Sequence, residues 1–373
     1  MAGRIVSKRD AFLKLLAGEP AVQIIWTADI TYWLGGQQFQ GKADPAWAGE
    51  EGHLKLCREL GIMPYYWYEP FWSAEPQYDQ SVQVSTRTQG YLTQKTWQTP
   101  VGTISEETTF SPDSCSIAHS KFGVTNKPDL EVFRYLIENR RLKPAGIEDY
   151  PKRLELWQRY DGLPVIALPR SPLSAFLYEW AGLINGIYLL LDYPELMRDI
   201  FQLMEKQEEP ILDAVCEVRP PLVHFADNLS SDTITGFYEE LMEPGHRRRI
   251  ARLHQAGIRC AVHLDGVVQG LLPKLARAGF DAVEALTPYP GGDLTIEKMR
   301  TIANDDHVIL WGGVPGILFA PPYTWEDMKR HVEHVLESWA GTRFVLGVAD
   351  QVPPDGNIEF CRNISKLIQA RNP

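Results

Sequence analysis

The sharpest chemical signal in the sequence is the run His263-Leu264-Asp265, which closes a short apolar stretch. Side chains two apart on an extended strand point to the same face. Such a pair can present an imidazole nitrogen and a carboxylate oxygen to one metal ion or one substrate; the plainer alternative is a histidine held by its neighbour. Asp29, Asp227, Glu284 and Asp350 also lie at the ends of apolar runs. Carboxylates crowded around one histidine repel one another, so a cation, a protonated member or Arg170 must offset their charge. Arg170, at the end of another run, suits two roles equally: clamping a substrate carboxylate or phosphate, or pairing with Asp227. His224 reads as a hydrogen-bonded interior histidine and Cys260 as a packing residue. Trp26, Tyr32, Trp33, Tyr65, Tyr66, Tyr68 and Trp311 supply aromatic surface near the same run ends. They suit a planar ring or, by cation–π contact, a quaternary amine.

These residues need a scaffold that gathers run ends. Eight β-branched or apolar runs read as buried parallel strands: Ala21 to Thr27, Met63 to Tyr68, Leu163 to Leu168, Leu222 to Ala226, Arg259 to Leu264, Ala282 to Ala285, Val308 to Trp311 and Phe344 to Val348. Segments of helical period lie between them, for example Thr235 to Gln255, Val267 to Ala278, Trp325 to Ser338 and Ile358 to Ala370. Ala256-Gly257 and Ala278-Gly279 precede two of the strands as helix C-caps would. The pattern predicts an α/β TIM (β/α)8 barrel spanning 1–373 as a single domain. A doubly wound open sheet is the alternative, but no glycine-rich phosphate loop follows the first strand. The stretch after the second strand is too long for one helix, and its alternation around Gln89-Gly90 predicts a β-hairpin insertion at 75–125 over the barrel mouth. In a barrel the strand ends face one shared pocket.

Composition narrows the partners. The 37 basic and 48 acidic residues give a net charge of −11, with no basic run, which argues against nucleic acid. No apolar stretch approaches the roughly 20 residues that cross a bilayer, and no signal-type segment follows the charged start at Met1 to Asp10. A cytoplasmic protein with no membrane partner is expected. The five cysteines are scattered without a C-x-x-C pair, as in a reducing compartment.

The stretch His224-Phe-Ala-Asp-Asn-Leu-Ser-Ser-Asp232, the helix Phe237 to Gln255, and Val262-His263-Leu-Asp-Gly266 resemble the uroporphyrinogen decarboxylase superfamily. Gly279-Phe-Asp-Ala-Val-Glu284, Leu310 to Pro315 and Leu346 to Pro354 continue the resemblance in order. It covers the chain from about residue 200 onward and implies a TIM barrel. That superfamily holds porphyrinogen decarboxylases and corrinoid-dependent methyltransferases. The decarboxylases carry an arginine motif after strand one, whereas no arginine lies between Arg9 and Arg58 here. The resemblance still places Asp29 where their catalytic aspartate stands. The methyltransferases hold zinc with a histidine and two cysteines. The matching positions here are His263, Asp265 and Asp350, so both thiolates have become carboxylates.

Carboxylate and imidazole ligands leave a harder, more electrophilic cation than thiolates do, one suited to polarising oxygen. The resemblance therefore implies a methyltransferase, assisted by zinc or another divalent metal. It would move a methyl group from a small methylated oxygen or nitrogen compound to cobalamin on a partner corrinoid protein. Asp29, Asp227 and Glu284 would act as catalytic groups, Glu284 either completing the metal shell or serving as base. Trp26, Tyr32, Trp33, Tyr68, Arg170 and Trp311 would hold the substrate. A carboxy-lyase of the decarboxylase type, with Arg170 as clamp and Asp29 or Asp227 as acid, is the competing reading. A ligand-binding barrel without catalysis is the third. The resemblance alone points to a homodimer.

Overall fold

The computed structural model describes residues 7–20, 22–67 and 71–371. Thirteen strands are present among them: β1 Trp26–Thr27, β2 Ser73–Tyr78, β3 Gln83–Gln89, β4 Leu92–Thr99, β5 Gly102–Ser111, β6 Ser116–Lys121, β7 Arg140–Ala145, β8 Ile166–Leu168, β9 Leu222–Leu229, β10 Arg259–Leu264, β11 Ala282–Leu286, β12 Ile309–Pro315 and β13 Phe344–Ala349. Seven of them form one curled parallel sheet in the order β1-β13-β12-β11-β10-β9-β8. Every residue of β11 and of β12 is buried, as expected when helices cover one face of a parallel sheet and side chains fill the other.

The run expected as a second strand does not join a ladder. Its described part, 63–67, lies extended and links the two sheet edges by backbone hydrogen bonds. Met63 N–H donates to Trp26 O at 2.9 Å, while Pro64 O and Tyr65 O accept from Leu163 N–H at 3.0 Å and Val165 N–H at 3.1 Å. Proline at position 64 removes one donor, so only a broken pattern is possible there.

Inside the curl, side chains of one parity make a packed layer of Ile25, Met63, Leu163, Leu222, Ala261, Ala282, Ile309 and Val345. The helix Lys8–Leu16 closes it from below with Ala11, Phe12, Leu15 and Leu16. The next inward positions form an upper layer. There Trp311 packs on Phe12 at 5.1 Å and on Tyr65 at 4.7 Å between ring centroids. Its indole N–H donates to Thr27 Oγ1 at 2.8 Å. Side chains of the opposite parity, Trp26 among them, enter the larger core beneath the helices.

Helices follow the strands closely. Trp325–Ser338 starts with a capping box made by Thr324 and Asp327. Gly257 and Gly279 adopt the left-handed backbone that turns the chain from helix into β10 and β11.

The segment expected as one hairpin is a larger structure with different limits. The strands β3-β4-β5-β6 form a four-stranded antiparallel sheet, and β2 pairs with β7. The whole runs from Ser73 to Ala145 and includes the helix Lys127–Glu138. It leans on the helix Thr31–Phe39, where Phe110 packs on Phe39 at 5.2 Å and Ser114 O accepts from Tyr32. No described helix is long and apolar enough to cross a membrane.

Gly312 sits at φ +141°, and a Cβ there would lie 2.6 Å from Leu286 N. Gly312→Ala should therefore destabilise the fold by about 2 kcal/mol or more, through strain and backbone collision together. Gly341, at φ +73° with open space around it, should lose only about 1 kcal/mol on the same change. Urea unfolding of both variants checks this, and equal losses would refute the packing argument.

Candidate active site

The upper layer opens into a cavity of about 310 Å³ at the C-terminal ends of the strands, and its walls include Asp29, Tyr66, Arg170, Asn228, His263 and Asp350. Glu284 lies at its base, 2% exposed. Tyr65 Oη donates to its Oε1 at 2.9 Å, while its Oε2 lies 3.1 Å from His224 Nε2 and 2.6 Å from His263 Nδ1. Burial alone would raise the Glu284 pKa, but His263 and His224 outweigh it and hold this carboxyl well below the usual range. Burial likewise opposes charging His263, yet Glu284 and Asp265 overcome it and keep the imidazole protonated well above its ordinary value.

With Nδ1 fixed on Glu284, His263 turns Nε2 toward the opening. Asp265 Oδ1 lies 3.2 Å from it and Asp350 Oδ1 3.9 Å. One donor atom from each of His263, Asp265 and Asp350 falls within 4.8 Å of the others, and the same holds for His224, His263 and Glu284. Asp350 reaches inward from a left-handed backbone, φ +67°, just past the end of β13. Burial pushes its carboxyl up to about 6, against the pull of His263. Asn228 Nδ2 donates to Asp265 Oδ2 at 2.7 Å, leaving the other oxygen facing His263. Arg170 in turn donates to Asn228 Oδ1 at 2.7 Å.

The donor set tests what it could hold. One imidazole nitrogen and two carboxylate oxygens, partly open to solvent, fit a divalent cation of borderline or hard character. A carboxylate bracing the far imidazole nitrogen is the usual outer support of such a histidine. No described cysteine joins either group.

Asp29, 5% exposed, stands across the cavity. Its Oδ1 accepts from Thr31 N–H at 2.8 Å and from the Thr31 hydroxyl, and Gln351 Nε2 approaches Oδ2 at 3.3 Å. Burial outweighs those bonds and raises its carboxyl to about 6.

Several expected residues lie elsewhere. Asp227 is buried in the helix layer, where it accepts from Ser171 N–H at 2.6 Å and the Ser171 hydroxyl at 2.8 Å and meets His246 Nε2 at 3.0 Å. Arg170 pairs with Glu179 at 3.0 Å and not with Asp227. Trp26 and Trp33 belong to the outer core and Trp311 to the layer beneath the cavity. Tyr32 contacts the inserted sheet. Tyr68 lies outside the described residues. Tyr65 and Tyr66, of the expected aromatic surface, do line the cavity, whereas His224 and Asn228, passed over as site residues, carry a readable signal on β9. His224, Ala226 and Asn228 share one face of that strand, and parity sends Asp227 to the other.

No protein-family model and no curated protein matches the chain. Its shape does have counterparts. A methyltransferase from Methanosarcina mazei superposes with a TM-score of 0.62 at 12% identity, over 98% of this chain and 99% of the other. The chain therefore shares the overall fold of that methyltransferase. A B12-independent methionine synthase from Shewanella sp. W3-18-1 gives a TM-score of 0.46 at 12% identity, over 94% of this chain and 99% of the other.

Asp29 generates a pH prediction. Its folded pKa, about 6, lies above the ordinary 3.8, so the native state holds the proton more tightly and this stabilisation is lost as pH rises from about 4 to about 6. Asp29→Asn escapes the loss. Relative to wild type, the variant should gain about 2–3 kcal/mol between pH 4 and pH 7.5. Guanidinium unfolding at both pH values measures it, and a pH-independent difference would refute the assignment.

Proposed function

We propose that the protein is a metal-assisted methyltransferase that moves a methyl group from a methylated oxygen or nitrogen compound to the cobalt of a separate corrinoid protein. The observation that carries this reading is the convergence of His263, Asp265 and Asp350 at the open end of the cavity. The fold shared with a methyltransferase supports it. When bound there, zinc or another divalent cation would supply Lewis acidity toward the oxygen or nitrogen that loses its methyl group. Glu284 fixes the imidazole by accepting at Nδ1, and Asn228 fixes Asp265. Asp29, with its carboxyl raised to about 6, stores a proton on the cavity wall for the departing alkoxide or amine. Tyr66 and Tyr65 supply the aromatic wall.

The corrinoid partner would seat over the cavity, where Tyr289 and Ile317, on the loops after β11 and β12, are 67% and 58% exposed. In this reading the chain is one (β/α)8 barrel, with residues 63–67 standing in for the second strand, and it works in the cytoplasm. The carboxy-lyase reading requires Arg170 as a free clamp. Its two terminal nitrogens are already engaged by Glu179 and Asn228.

The test is metal content by mass spectrometry on protein purified without a histidine tag. About one equivalent of a divalent metal per chain is expected, lost in both His263→Ala and Asp265→Ala. A folded native protein free of metal, and unable to take up zinc, would overturn the mechanism. Asn228→Ala should retain the site but weaken zinc about tenfold in competition with a chromophoric chelator, the usual cost of losing an outer support.

A further inference from the structure

The helix Leu183–Asp192, between β8 and β9, reads Leu-Ile-Asn-Gly-Ile-Tyr-Leu-Leu-Leu-Asp, with no charged side chain before its last residue. The core explains its inner face. Gly186, Leu189 and Leu190 are buried there, and a Cβ on Gly186 would lie 2.5 Å from a Leu177 methyl group. The outer face has no such explanation. Leu183, Ile184, Tyr188 and Leu191 are 37%, 74%, 64% and 62% exposed. Of thirteen exposed large apolar side chains among the described residues, these four fall within nine successive positions. They form one patch, unlike the single scattered apolar residues of an ordinary surface. A helix that is apolar all round is one that is covered on every side.

The spacing of the exposed side chains defines the geometry of a cover. Ile184, Tyr188 and Leu191 are four and three residues apart, the seam along which two helices pack side by side at a shallow angle. Ile187, half-buried, borders the same stripe.

Two arguments favour a second copy of this chain as the cover. The first is area. At these exposures the four side chains present roughly 500 Å² of apolar surface, which two facing copies double to roughly 1,000 Å², the lower limit for a specific interface. The second is charge. About a two-fold axis through the middle of the helix the two copies run antiparallel, with Ile184 of each facing Leu191 of the other and Asp192 of each beside the other's first turn. Asp192 is exposed. That first turn has no acidic residue, and no side chain caps it at Gly182, so a carboxylate arriving there meets the positive end of the helix dipole. A lipid surface is the weaker occupant, because helices that lie on membranes carry Lys or Arg beside the apolar face and this helix has neither.

We propose that the protein is a homodimer whose two-fold contact is the helix Leu183–Asp192, packed antiparallel against the same helix of a second copy. The inference is independent of the metal site and of the reaction.

Sedimentation velocity on the full chain tests it, and a dimer with a dissociation constant of about 10 µM or tighter is expected. Ile184→Asp and Tyr188→Asp each set two charges, one from each copy, against the apolar seam, and should weaken dimerisation about a hundredfold or more. Both positions face solvent in the single chain, so near-ultraviolet circular dichroism of the variants should match that of a native fold. Asp192→Lys, a milder change, reverses the charge at the other copy's helix start and should weaken the dimer about three- to tenfold. Val101→Asp, at a position 55% exposed on the inserted sheet, is the control and should leave the dimer unchanged. A wild-type chain that stays monomeric at about 100 µM, or a dimer that survives both aspartate variants, would overturn the proposal. So would a monomer that floats with phosphatidylcholine vesicles and loses them on Ile184→Asp, which assigns the stripe to lipid.

Discussion

Glu284 is the constraint on which the site is built. A carboxylate that deep costs several kcal/mol unless it is paired and its lone pairs are used, and three donors converge on it, His224 from β9, His263 from β10 and Tyr65 from the extended segment 63–67. Each bond fixes more than itself. The His263 bond decides which imidazole nitrogen faces the opening. The Tyr65 bond ties the irregular segment between the sheet edges to β11, and the same ring packs on Trp311. Removing this one carboxylate would leave two histidines and a phenol with no reason to hold their directions.

A second, drier network does comparable work outside the sheet. Ser171 meets Asp227, His246 and Arg249, and Arg249 is paired with Glu208. These bonds pin the ends of β8 and β9 from the helix side. Their chain neighbours, Arg170 and Asn228, face the cavity and brace Asp265. The two sides of the strand ends therefore divide the labour, buried ionic bonds behind and cavity-facing groups in front. Asp227 serves the fold from the far side.

The alternation of helices and buried strands was legible in the sequence because parallel strands covered on both faces must be apolar throughout. Seven of the eight expected runs join the sheet. The eighth, at Met63, was legible as a run but not as a broken strand, since Pro64 and the tyrosines that follow do not announce which backbone donors are used. The candidate ligands His263, Asp265 and Asp350 were legible from spacing and resemblance together. Asp227 was misplaced because strand ends were read without parity. Counting in twos from His224 would have sent it to the helix layer and drawn in Asn228. The insertion was underestimated, because β2 and β7, separated by four other strands, pair only through tertiary structure.

The helix Lys8–Leu16 and the apolar layer above it close the lower end of the curled sheet. The central cavity is thus a cul-de-sac. A small molecule that enters at the strand ends must leave by the same doorway, because the floor beneath it is packed solid.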